Sequence, residues 1–338
     1  MPTDATPRPT IYDVAQRAGV SKSLVSLVLR DAPHVSEARR DAVLAAIDEL
    51  GYRPSRAASA LASQRTRTVG VLIDDFHNPW FVELLAGLRS VLDPAGYTAS
   101  VADLALETAS GRKPVDGFLA QHVDAIVIAA DLAPGTLERV GVPIVVAGLR
   151  ELGARDAGRA VDVVAGDDEL GGRLATEHLL RLGHTRVAHL AGHSGPGDAR
   201  RRGYESAMLA AGLEPITTGG GATTEAAGYS AACALLEAHP HVTGIVAAND
   251  VMAVGALAAL RERGLSVPAD VSVVGHDDSP LAAYRYLALT SVDGHSADVG
   301  AAAARALLRR LDSPDAPAHR ELLALDLVVR GSTAPPPT

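Results

Sequence analysis

The sequence predicts an all-α head at the N-terminus followed by an α/β body of two lobes with parallel sheets. Three observations carry that prediction. Residues 10–51 show helical apolar spacing interrupted by a single glycine turn. From Thr68 onward, short β-branched runs alternate with longer helical stretches, the pattern of repeated βα units. The length of 338 residues exceeds what one small core organises, so more than one domain is expected.

In the head, "TIYDVAQRAG" places Thr10 and Asp13 at capping-box spacing, with Ile11, Val14, Ala15 and Ala18 on one stripe. Gly19 allows a sharp turn, and Ser21 is a good N-cap for a second helix. On that helix Val25, Val28 and Leu29 face inward, while Lys22, Ser23, Ser26, Leu27 and Arg30 project the other way. A third helix starts at Ser36, carries Val43, Leu44, Ile47 and Leu50 inward, and stops at Gly51. The stretch that follows, "YRPSRAASALASQRTRT", holds a helical segment of only about two turns, too short to be stable alone, and reads as a hinge.

In the body, "TVGVLI", "AIVIAA", "PIVVA", "VDVVA", "RVAHLA", "GIVAAN", "VSVVGH" and "LTSV" read as buried parallel strands. "WFVELLAGLRSVL", "GGRLATEHLLRLG" and "VMAVGALAALRERG" read as helices between them. The terminal "TAPPPT" reads as a disordered tail.

Composition narrows the function. Net charge is −9, yet residues 1–67 carry ten basic and seven acidic side chains, +3, leaving −12 on the remainder. A small basic head on an acidic body is the asymmetry expected when only the head meets phosphates. One cysteine, Cys233, excludes an internal disulfide and suits a reducing cytoplasm. No apolar run reaches membrane-spanning length, and "MPTDATPRPT" lacks the apolar core of a signal peptide. In a helix-turn-helix the second helix enters the major groove, and short donors, a cation and a thymine-contacting leucine are usable there. Spacing alone leaves a solvated bundle face as the other reading.

The residues decide further by resemblance. The run from "TIYDVAQRAGVSKSLVSLVLRDAPHVSEARRDAVLAAIDELGYRPSRAASALASQRTRTVGVLI", with "NPWF", "GGRLATEHLLRLGHTRVAHLAG", "AANDVMAVGALAALRERGLSVPADVSVVGHDDSPLAAY" and "LVVRGSTAP", resembles the LacI-type (lactose repressor) family of bacterial regulators over nearly the whole chain. The resemblance implies a helix-turn-helix domain at 1–52 and a hinge helix and linker at 53–66. It implies an effector-binding and dimerisation domain of periplasmic-binding-protein-like fold at 67–338, with lobes near 67–164 plus 293–325 and 165–292.

It also implies roles. Tyr12, Ser21, Ser26 and Tyr52 fall where members touch phosphates, and Thr10 and Ser55 join this DNA-facing set. Lys22, Ser23 and Leu27 fall at base-reading positions, with Arg30 and His34 nearby. Leu61 matches a leucine wedged between central base pairs from each subunit, and Ala58 is small enough for close approach. Trp80 and Phe81 match an aromatic wall of the ligand cleft, while Arg200, Asn249 and Asp277 match polar ligand contacts. The implied partners are a palindromic double-stranded operator, a second copy of the chain and a small effector, by preference a carbohydrate. The implied protein is a cytoplasmic, nucleoid-associated regulator, with no cofactor, metal or membrane.

Two departures stand out. Gly148 occupies a place where the family often has an acidic ligand contact, and Gly294 occupies a usual glutamine position. Leu27 replaces a commoner polar residue, so the operator half-site is expected to differ.

Enzyme readings lack their motifs. "VGVLIDDFHNP" has no G-x-G-x-x-G, "GHSGP" breaks a nucleophile elbow at Pro196, no P-loop occurs, and His239 and His241 lack a third zinc ligand. The remaining alternatives are a solute-binding protein, which would need export and no basic head, and a regulator that works without effector.

Overall fold

The computed structural model describes residues 9–29, 32–53, 65–150 and 161–338. It separates into two compact units, residues 1–66 and 67–338.

The first unit holds α1 (Ile11–Arg17), α2 (Lys22–Leu29) and α3 (Glu37–Leu50). Thr10 and Asp13 form the reciprocal capping box at the start of α1, and Ser21 Oγ accepts the Leu24 backbone N–H at 3.2 Å. Gly51 ends α3 in the left-handed region, at φ 60°. Val14, Val25, Val28, Val43, Ala46 and Tyr52 make its core. Two leucines differ from expectation: Leu29 is 36% and Leu44 49% exposed. Val43, Ala46, Ile47 and Leu50 already complete the inward stripe of α3, and Leu44 lies one residue, about 100°, off it.

The second unit contains two six-stranded sheets. Its elements are β1 (Thr68–Ile73), α4 (Trp80–Leu92), β2 (Thr98–Asp103), α5 (Leu104–Ala109), α6 (Pro114–Ala120), β3 (Ala125–Ala129), β4 (Ile144–Ala147), β5 (Asp162–Gly166), α7 (Asp168–Arg181), β6 (Val187–Gly192), α8 (Ser194–Ala210), β7 (Ile216–Gly221), α9 (Glu225–Ala238), β8 (Gly244–Ala247), α10 (Asp250–Glu262), β9 (Ser272–His276), β10 (Thr290–Asp293), α11 (Ser296–Asp312), β11 (Arg320–Leu323) and β12 (Asp326–Val328). Lobe one has strand order β11-β5-β4-β3-β1-β2 and lobe two β12-β10-β9-β8-β6-β7. All ladders are parallel except β10 with β12.

All eight strands read from the sequence form. The four others, β2, β7, β11 and β12, lie at sheet edges, where half-exposed strands lose the apolar run that marks a buried one. Helices cover both faces of each sheet; in lobe one α4 and α11 pack on one side and α6 on the other.

The chain crosses between lobes after β5, after β10 and after β11. The third crossing corrects the expected ending. Residues 326–338 return to lobe two, where Ser272 Oγ both donates to the Ala334 carbonyl and accepts its N–H, each at 3.0 Å. His184 Nε2 donates to the same carbonyl at 2.9 Å, so the "TAPPPT" segment is docked rather than a free tail.

Glycines set the helix spacing near the cleft. A Cβ on Gly172 of α7 would overlap the Arg200 carbonyl of α8, and one on Gly203 of α8 would overlap the Glu169 carbonyl of α7. This reciprocal contact brings the start of α7 against Arg200.

Candidate functional site

In the helical head, the outward side of α2 carries Lys22, Ser23 and Leu27, all exposed, with Ser26 half-buried. Leu27 keeps 40% of its surface in solvent, although burying a leucine is favourable by roughly 2 kcal/mol. Lys22 Nζ donates to Tyr12 Oη at 3.3 Å and lies 4.9 Å from the centre of the Tyr12 ring. The ring therefore ties the start of α2 to α1. Thr10 is held in its capping box, Ser21 caps α2, and His34 is exposed before α3. Tyr52 is 9% exposed and packed into the helical core. Arg30, Ser55, Ala58 and Leu61 lie outside the described residues.

In the body, a cavity of about 930 Å³ is walled by both lobes and takes in Trp80, Phe81, Arg200, Asn249 and Asp277 together. It lies beyond the carboxyl ends of strands, where α/β sheets leave a crevice. Trp80 and Phe81 meet edge-to-face at 5.0 Å and 87°. Phe81 is 2% exposed and anchors the pair in the lobe-one core, while Trp80 is half-buried.

Among three consecutive arginines, Arg200 is the one aimed at the cavity. Arg201 pairs with Glu205 and Asp198 on its own helix, and Arg202 with Glu169 at the surface. Arg200 Nε donates to Asp168 Oδ1 at 2.8 Å, and its terminal nitrogens donate to the Ala248 carbonyl at 2.6 Å and to Asp277 Oδ1 at 3.3 Å. Asn249 has a structural duty as well: its Oδ1 accepts the Met252 N–H at 2.8 Å and caps α10.

Burial dominates the electrostatics. It pushes the Asp277 carboxyl up to about 7 against the opposing pull of Arg200, and raises Asp168 for the same reason. Asp250, beneath them, is pushed up to about 6 by burial, although it accepts bonds from Ser291 and Ser279. His276, within 3.8 Å of Asp168, is held neutral by burial, and His189 is driven down to about 4. Asp277 also sits at φ 99°, a conformation few non-glycine residues adopt, and this strain is held at the cavity wall.

Sequence reasoning missed a second cluster in lobe one. Arg150 pairs with Asp74 at 2.8 Å and lies 3.6 Å from Asp131, and all three line the cavity. Asp74 directly follows β1 and Asp131 comes two residues after the end of β3, so their place at strand carboxyl ends was a usable signal; Arg150 gave none. Asp168 was likewise missed, though it opens the helix after β5. Across the opening, a Cβ on Gly195 of α8 would collide with the Leu149 carbonyl, so the two lobes touch at this rim. Gly148 and Gly294 both line the cavity without a side chain, as the sequence implied.

Among the described residues no helix is long and apolar enough to cross a membrane. Residues 10–55 match the family of bacterial regulatory proteins, lacI family, and residues 176–333 a periplasmic binding protein-like domain. The chain is 37% identical to the HTH-type transcriptional regulator CelR of Thermobifida fusca, over 96% of this chain and 98% of that protein. A solved complex of the transcriptional regulator CelR with cellobiose is similar at 34% identity and TM-score 0.69, over 96% of this chain and 100% of that one. A lac repressor dimer bound to operator and the anti-inducer ONPF is similar at 30% identity and TM-score 0.81, over 97% and 100%.

Proposed function

Because this chain belongs to the lacI family of bacterial transcriptional regulators, we propose that it binds a roughly palindromic operator as a homodimer, under control of a sugar or sugar derivative held between its lobes. It is a DNA-binding regulator and, like its relatives, not an enzyme. It acts in the cytoplasm, on DNA of the nucleoid.

The observation that carries this reading is one cavity walled by both lobes, with an aromatic pair in one and a buried arginine–carboxylate cluster in the other. Aromatic faces suit the C–H surfaces of sugars, and fixed polar groups suit their hydroxyls. A ligand touching both walls stabilises one lobe arrangement over others, which is the differential binding that control requires. In the division of labour, residues 1–52 read DNA, 53–66 form the hinge with Leu61 as its wedge, and 67–338 bind effector and partner. On α2, Lys22, Ser23 and Leu27 read base edges, while Tyr12, Ser21, Ser26 and Tyr52 contact phosphates, and Thr10 and Ser55 complete the DNA-contacting set.

Selection of bound duplexes from random DNA by the purified chain, with and without a sugar panel, tests the reading. An enriched palindrome whose affinity falls steeply with salt and shifts with a sugar is expected. Removal of residues 1–66 is expected to abolish DNA binding and keep sugar binding. No enrichment under any condition would refute it.

A further inference from the structure

Asp277 and Asp278 are consecutive non-glycine residues in the left-handed region, at φ 99° and 44°, and no other such pair occurs among the described residues. Left-handed backbone costs free energy at a residue with a Cβ, so it persists only where the surroundings hold it. The holding groups can be named. The Asp277 N–H donates to the Val292 carbonyl at 2.9 Å, and the Asp278 N–H to Ser291 Oγ at 3.1 Å. Just past the turn, the N–H and Oγ of Ser279 both donate to Asp250 Oδ2, at 2.7 and 2.8 Å.

One more restraint arrives from far along the chain. Arg330 Nη1 donates to Asp278 Oδ1, and Nη2 donates to Oδ2 at 3.2 Å, the two-pronged form of an arginine–carboxylate pair. The arginine is itself anchored. Its Nη1 also donates to the Leu289 carbonyl at 2.9 Å, and its backbone N–H to Thr290 Oγ1 at 2.9 Å. The side chains of Arg330 and Asp278 are only 21% and 14% exposed, so water screens the pair in part. Arg330 comes two residues after β12, on the C-terminal segment that docks on lobe two.

The two carboxyl groups of the turn have different addresses. Asp277 lines the cavity and receives Arg200, whereas Asp278 and Arg330 do not line it. Pinning the Asp278 side chain to a fixed cation stops the turn from relaxing to ordinary backbone angles. A relaxed turn would swing the neighbouring Asp277 carboxyl off Arg200. Groups that touch a ligand keep their geometry only when such outer contacts lock them.

We propose that Arg330 is a positioning residue for effector binding: through Asp278 it holds the turn that presents Asp277 to the cavity, so a side chain outside the cavity sets affinity within it. This rests on the reading of the cavity as the effector site.

Two measurements on the full-length protein test it. Hydrogen exchange read by mass spectrometry needs no ligand. Arg330→Ala speeds exchange of the 277–279 amides at least tenfold and leaves those of β6 and β8 as in the parent. Calorimetric titration with cellobiose, ribose and galactose then reads the consequence. The tightest-bound of the three loses at least tenfold in affinity in Arg330→Ala, and less than fourfold in Arg330→Lys, which keeps the charge. Asp278→Ala loses as much as Arg330→Ala, and the double variant no more than either, because each single change breaks the same pair. If Arg330→Ala fails to fold, Asp278→Asn takes its place on the same criteria. Unchanged exchange at 277–279, undiminished sugar affinity in the folded variants, or losses that add in the double variant overturn the inference and leave the cavity's role standing. If none of the sugars binds the unaltered protein, the effector-site reading falls, and this inference with it.

Discussion

Arg200 reaches Asp277 at 3.3 Å from a helix in the same lobe, and Asp277 receives it with its backbone held at φ 99°. The same guanidinium is 2.8 Å from Asp168, so one cation compensates two carboxylates that are nearly excluded from water. Arg200→Ala strands both, and breaking a buried pair in this way costs about 3–5 kcal/mol. Urea denaturation is expected to show that loss, and calorimetry the loss of sugar binding. Adding Asp168→Asn and Asp277→Asn is expected to restore stability and not sugar affinity. A single variant as stable as the parent would contradict the assigned burial.

His189 gives a pH signature. Its folded value is about 4 against an ordinary 6.5, with burial as the main cause, so below 6.5 the unfolded chain binds the proton that the folded chain refuses. Stability therefore falls from pH 6.5 to 4, by about 3 kcal/mol in full, and this contribution is flat above 6.5. Asp277 and Asp250, raised to about 7 and 6, work in the opposite direction over much of that range. Comparison with His189→Phe isolates the histidine: the stability of the parent relative to the variant is expected to decline on acidification. An unchanged difference between pH 7 and 4.5 would show that the imidazole is not sealed from protons.

Gly195 meets the Leu149 carbonyl across the rim of the cleft. Gly195→Ala puts a methyl group into that contact and holds the lobes apart. Sugar affinity is expected to drop at least tenfold, by about 1.4 kcal/mol or more, while operator binding without sugar persists. Wild-type sugar affinity in Gly195→Ala would show that closure does not pass through this contact.

The docked C-terminus is testable by truncation. Removing residues 332–338 deletes the Ser332 bonds to Val273 and Thr290, the Ala334 bonds to Ser272 and His184, and the Thr333 contact with His178. At about 1 kcal/mol per hydrogen bond, a loss of roughly 3–5 kcal/mol is expected in thermal or chemical unfolding. A truncated protein that unfolds with its parent would restore the view of this segment as a loose tail.

On α2, Lys22→Ala is expected to weaken operator binding by about 1–3 kcal/mol, measured by titration of labelled duplex. Leu27→Ala is expected to leave the salt dependence intact and to relax preference at one base pair. Equal losses on all sequences for Leu27→Ala would assign it to packing.

Much of this architecture was legible because buried parallel strands advertise themselves. "TVGVLI" and "PIVVA" have no polar face to confuse with a helix, whereas β7, "ITTGGG", is an exposed edge with nothing apolar to announce it. Arg200 and Trp80 were legible through their motifs. Arg150 was not, because its place on the cavity is fixed by carboxylates on other loops. The tail was misread because proline-rich composition describes chain stiffness, and says nothing about a carbonyl that a distant histidine can grasp.

Neither lobe is a continuous stretch of chain. Lobe one waits for α11 and β11, and lobe two for β12 and the final residues that pin it. On the ribosome the body therefore cannot close either sheet until translation has all but finished, while the three-helix head is complete within its first few dozen residues. An interrupted synthesis yields the helical head without the cavity that both lobes must wall, so faithful completion of the polypeptide is itself a condition of control.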